Sequence, residues 1–183
     1  AGDGLLNYAY EVASSAYEGR EEDVCIGRAI RILAKLPGIY GMIGGQTADV
    51  YLTGTKLNAE QLDYIYRNKT GALIEAAMTI GAVLAGASSE HIELIKQVAN
   101  NVGLSFQIQD DILDVIGDEN TIGKPIHSDM DNDKITYVTI HGIDESKKTV
   151  ESLSKEAVEA LEQLPYNNPL LDEIIMSLID RNK

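Results

Sequence analysis

Between Glu90 and Ile116 the chain keeps one helical apolar pattern for twenty-seven residues. At a rise of about 1.5 Å per residue, that helix spans about 40 Å. Its later half carries Val102, Leu104, Phe106, Ile108, Ile112, Leu113, Val115 and Ile116. A helix so long and so apolar has to be a central wall, with other helices packed around it.

Acidic residues are set inside this apolar run, in Phe106-Gln107-Ile108-Gln109-Asp110-Asp111-Ile112-Leu113-Asp114. Offsets of three and four residues put Gln107, Asp110, Asp111 and Asp114 on one side of the helix. Three carboxylates within one or two turns repel each other and resist burial. A multivalent hard cation relieves that repulsion. Carboxylate oxygens with retained waters suit Mg²⁺, which usually shares its ligands with substrate phosphates. The pattern therefore predicts a Mg²⁺–diphosphate site on a helix wall, with Asp110, Asp111 and Asp114 as metal ligands. The plainer alternative is a solvated acidic face, but such a face has no need of apolar neighbours on every side.

Charge points the same way. The 183 residues hold 29 acidic and 15 basic side chains, a formal charge of −14. That balance disfavours non-specific binding to nucleic acid or to an anionic membrane. It suits a site that needs a cation before it can hold a polyanion. Cys25 is the one cysteine, so a disulfide framework is ruled out, and it reads as buried filler in a reducing, cytoplasmic setting. No apolar run reaches membrane-spanning length and no signal-peptide pattern is present. The chain opens at Ala1 without Met and is in helical periodicity by Leu5, as a fragment or processed product would be.

The rest reads as helices. The first begins near Leu5 with Asp3 as N-cap. Val24 to Leu36 follows, stopped by Pro37-Gly38. Ile39 to Leu52 is unusually small on one side, at Gly41, Gly44, Gly45 and Ala48, which permits close approach. Asn58 with Gln61 forms a capping box for a pattern over 59–85. Lys69-Thr70-Gly71 interrupts that pattern, and a kink there aims Lys69 and Thr70 at a cavity. A polar loop over 117–133 precedes helices at 135–141, 146–164 and 170–179. The class is an all-α helix bundle, a single domain over 1–183.

Four separated segments now stand in order: Gly45-Gln46-Thr47-Ala48-Asp49; Lys69-Thr70-Gly71; Phe106 to Asp114; and Gly123-Lys124-Pro125-Ile126-His127-Ser128-Asp129 running on to Lys134-Ile135-Thr136-Tyr137. Together they resemble the C-terminal two-thirds of the trans-prenyltransferases, the polyprenyl synthetases that make farnesyl and geranylgeranyl diphosphate. The resemblance implies an isoprenoid-synthase-type bundle truncated at its N-terminus. It implies Mg²⁺-dependent head-to-tail condensation of an allylic diphosphate with isopentenyl diphosphate, farnesyl diphosphate synthesis above all, in a homodimer. Asp110 resembles the principal ligand of the second aspartate-rich motif, with Asp111 and Asp114 supporting it. Lys69 and Lys124 resemble the lysines that neutralise the allylic diphosphate, and Lys134 the same charge from further along. Thr70 and Gln107 resemble polar groups facing the carbocation, and Gln46 and Asp49 a pair ordering that layer. His127 stands where the family has Gly.

Ordinary readings stay open for several of these. Lys69, Lys124 and Lys134 also read as solvated charges, Gln46 as a satisfied core amide, and His91, His127 and His141 as structural. The family's first aspartate-rich motif and its following arginines are not in this sequence, so the chain alone is expected to be inactive. Two further readings are a non-catalytic partner subunit and a terpene cyclase or head-to-head synthase.

Overall fold

The computed structural model describes residues 1–117 and 134–177. Among them every regular element is helical. In chain order these are α1 (Gly2–Ser14), a 3₁₀ turn (Ser15–Tyr17), α2 (Val24–Lys35), α3 (Met42–Leu52), α4 (Ala59–Tyr66), a π-helical turn (Arg67–Gly71), α5 (Ala72–Leu84) and α6 (Ser89–Ile116). After them come α7 (Tyr137–His141), α8 (Ile143–Glu162) and α9 (Pro169–Met176). No described helix is long and apolar enough to cross a membrane.

The expected central wall is α6. Ser88 caps it, its hydroxyl accepting from the His91 N–H at 3.2 Å. Helix α5 lies along one side of α6 and α8 along another. Buried clusters form at both ends. Near the C-terminal end of α6, Ile108 and Ile112 meet Leu62, Ile65 and Tyr66 of α4, Val138 of α7 and Val150 of α8. Nearer its N-terminal end, Val98 meets Ala157, Ala160 and Leu161 of α8 and Ile175 of α9. On the outer face of α8, Glu151, Lys155, Glu156 and Glu159 are all exposed.

Several boundaries differ from the sequence expectation, each for a local reason. Asp3 lies inside the first turn of α1 and is not its cap; there it faces the positive end of the helix dipole. Helix α3 starts at Met42, because the chain first doubles back: the Met42 N–H donates to the Leu36 carbonyl at 2.9 Å. A Cβ on Gly41 would lie 1.8 Å from that carbonyl oxygen, so only glycine permits the turn. Helix α7 starts at Tyr137, since Thr136 and Thr139 form a reciprocal capping box. Gly142, at φ 79°, separates α7 from α8, whose first turn holds Asp144 and Glu145. The Asn58–Gln61 capping box forms as expected. Cys25 is a half-buried free thiol.

Candidate functional site

The expected kink at Lys69-Thr70-Gly71 is a π-helical turn instead, and the helix runs on through it from α4 into α5. A π turn holds an extra residue per turn, which re-aims the side chains after it, and such turns often lie at functional sites. Two glycines clamp it. A Cβ on Gly45 of α3 would sit 2.3 Å from the Lys69 backbone N, and one on Gly103 of α6 would sit 2.8 Å from the Gly71 Cα. The small face read in α3 thus admits the π turn against its backbone.

Lys69 and Thr70 leave this turn toward different partners. The Lys69 ammonium donates to Asp49 Oδ2 of α3 at 2.5 Å, with its side chain 30% exposed and that of Asp49 14%. The Thr70 hydroxyl donates to Gln107 Oε1 of α6 at 2.9 Å. Gln107 Nε2 in turn donates to Asp111 Oδ1, one turn along α6, at 3.4 Å. The other Asp111 oxygen accepts from the Tyr66 hydroxyl and from the Tyr137 N–H, the latter at 3.0 Å. One polar chain therefore links the π turn, α6 and the start of α7 through Thr70, Gln107, Asp111, Tyr66 and Tyr137.

This arrangement refines the metal-wall expectation. Gln107 and Asp111 do share a face, but it looks into the bundle. Asp111 is 2% exposed and Asp114 3% exposed, whereas Asp110 is only partly buried. Asp111 accepts from Tyr66 of α4, Gln107 of α6 and the Tyr137 N–H of α7, and so ties these three helices together. Among the described residues no three His, Cys, Asp or Glu side chains converge as a metal-ligand group. Hard carboxylate oxygens still suit Mg²⁺, and of the three aspartates Asp110 is the least buried.

The other expected residues fall as follows. Gln46 is exposed on α3 and does not join the polar chain. Lys134 is half-buried in the segment entering α7, two residues before the Thr136 cap. Lys124 and His127 lie outside the described residues. Tyr66 and Tyr137 were not assigned a role from sequence. The available signal was the spacing of Tyr66, three residues before Lys69 on a helix otherwise apolar at Leu62 and Ile65.

The same architecture occurs in a crystal structure of a geranyltransferase from Helicobacter pylori complexed with magnesium and isoprenyl diphosphate. That match has a TM-score of 0.79 and 35% identity, covering 98% of this chain and 58% of the other. The fold is thus the all-helical isoprenoid-synthase bundle. Residues 1–167 match the polyprenyl synthetase family model, and the chain belongs to the polyprenyl synthetase family. Among relatives, the farnesyl diphosphate synthase of Escherichia coli K12 is 36% identical over 187 residues, covering all of this chain and 62% of that protein. The heterodimeric geranylgeranyl pyrophosphate synthase large subunit 1 of Arabidopsis thaliana is 39% identical over 165 residues, covering 88% of this chain and 44% of that protein. The chain therefore spans roughly half the length of these relatives.

Proposed function

We propose that this chain supplies the second metal-and-lysine wall of a short-chain prenyl diphosphate synthase. The parent protein condenses an allylic diphosphate with isopentenyl diphosphate head to tail, with farnesyl diphosphate as the foremost product. The observation that carries the reading is the polar chain from Thr70 through Gln107 to Asp111, set beside the Lys69–Asp49 pair. Relatives named as farnesyl and as geranylgeranyl synthases both support the class.

Bound Mg²⁺, held by Asp110 with Asp114 and Asp111 behind it, would neutralise the charge that develops on the departing diphosphate. Lys69 adds a fixed ammonium for the same charge, kept in place by Asp49 until an anion competes for it. Lys124 and Lys134 add to that charge from the segment after α6. The Thr70 hydroxyl donates its hydrogen bond to Gln107 Oε1, so its lone pairs stay available as the negative end of a dipole. Such a dipole stabilises an allylic cation without attacking it while water is kept out. Asp111, Tyr66 and Tyr137 position Gln107 and touch no substrate.

A second copy of the chain is the proposed partner, giving a cytoplasmic homodimer. Helices α1 and α3 and the turn before α3 expose large apolar side chains, with Tyr40 79%, Tyr51 82% and Leu5 71% exposed.

Isothermal titration with geranyl diphosphate tests the wall. Binding is expected only with Mg²⁺, and Asp110→Ala is expected to abolish it. Equal affinity in EDTA would overturn the metal assignment. The 183-residue chain alone is expected to turn over no isopentenyl diphosphate. In a longer protein carrying this chain, Asp110→Ala is expected to cut turnover by at least ~100-fold, the scale of a lost electrostatic stabiliser.

A further inference from the structure

Away from the aspartate wall, α2, α5 and α6 enclose a groove of about 290 Å³. Its rim is basic in a chain of charge −14. Arg28, Arg31 and Lys35 stand one or two turns apart on α2, and Lys96 faces them from α6. The first three form no ion pair among the described residues, while Lys96 pairs with Glu93 at 2.7 Å. The floor is apolar, made by Ile32, Val83 and Ile92. In that floor lies Thr79, 2% exposed, whose hydroxyl has no hydrogen-bond partner among the described residues.

A buried hydroxyl left unpaired is costly, and Thr79 has no hydrogen-bond partner among the described residues. Like-charged side chains gathered on one helix face repel each other. An occupant bearing negative oxygens relieves the rim and offers an acceptor to the Thr79 hydroxyl, whose residue lines the groove. The apolar floor asks for a second, apolar part in the same molecule. We propose that this groove is a binding site for a small phosphorylated molecule whose remaining part is apolar, separate from the aspartate wall.

Glu75, one turn before Thr79 on α5, opposes the occupant. It is half-buried, and that burial holds its carboxyl above the usual range; the Lys96 and Lys35 ammonium groups pull it down and Glu93 pushes it up. Removing its charge strengthens the site.

Titration of the chain in EDTA with inorganic phosphate and with phenyl phosphate tests the proposal. Phenyl phosphate is expected to bind at least ~10-fold more tightly than phosphate, because its ring covers the floor. The Arg31→Ala/Lys35→Ala double variant is expected to lose at least ~10-fold in affinity, as charge-assisted contacts do. Glu75→Gln is expected to gain about threefold, and Thr79→Val to weaken binding without lowering thermal stability. Lys69→Ala is expected to bind as the unaltered chain does, with amide shifts on ligand addition confined to α2, α5 and the first half of α6. Equal affinity for the two probes, an unchanged double variant, or shifts centred on Asp110 would each overturn it.

Discussion

Asp111, 2% exposed, accepts hydrogen bonds from Tyr66, Gln107 and the Tyr137 N–H. A buried carboxylate is tolerable only when it is well supplied with donors. Tyr66→Phe removes one of them and is expected to cost about 2 kcal/mol, the range for a bond to a charged group. Chemical denaturation read by circular dichroism measures this, and a loss under about 0.5 kcal/mol would show that Asp111 does not depend on the phenol. Glu75 offers a test of the opposite sign. Burial raises its carboxyl in the folded chain above the 4.5 of the free group. The folded state then binds more protons than the unfolded one as pH rises from 4.5, so stability falls as Glu75 ionises. Glu75→Gln is expected to raise Tm at pH 7 and to do nothing below pH 4.5. The side chain is only half buried, so solvent screening limits the gain to about 1 kcal/mol or less.

Among the elements, the π turn between α4 and α5 has the greatest consequence. It lets one continuous helix present Lys69 to α3 and Thr70 to α6. The turn survives because Gly45 and Gly103 leave room on either side. Gly45→Ala places a methyl group 2.3 Å from the Lys69 N and 2.8 Å from the Asn68 carbonyl carbon, and backbone does not yield cheaply. Overpacking costs about 1–3 kcal/mol, which exceeds the gain of about 1 kcal/mol that alanine brings to a helix. The variant is expected to be less stable by about 1–2 kcal/mol, and to weaken Mg²⁺-dependent diphosphate binding through displaced Lys69. Gly81→Ala on α5 meets nothing within 4 Å and serves as the comparison, expected to be neutral or stabilising.

Over the molecule as a whole, the apolar side chains that remain outside matter as much as those inside. Tyr40, Val50 and Tyr51 near and on α3 are each at least 65% exposed, and α1 has no buried residue. Light scattering of the chain is expected to report a dimer. Tyr40→Glu with Tyr51→Glu is expected to give monomer with an unchanged helical spectrum. A monodisperse monomer of the unaltered chain would remove the homodimer from the proposal.

Helices α2, α5, α6 and α8 were legible in the sequence because helical periodicity, end-caps and Gly or Pro stops are local matters, decided within a turn or two. The same holds for the shared face of Gln107 and Asp111, four residues apart on one helix. What escaped the sequence depends on contacts between distant segments. Nothing within 67–71 distinguishes a kink from a π turn; Gly45 and Gly103 decide it from other helices. The family resemblance set Asp110 apart from Asp111, but the contacts that bury Asp111, from Tyr66 and the Tyr137 N–H, come from 45 and 26 residues away. Helix content and carboxylate spacing follow from short-range sterics, and so the sequence by itself determined them. Which carboxylate is buried follows from what packs against it, and only the tertiary structure decided that.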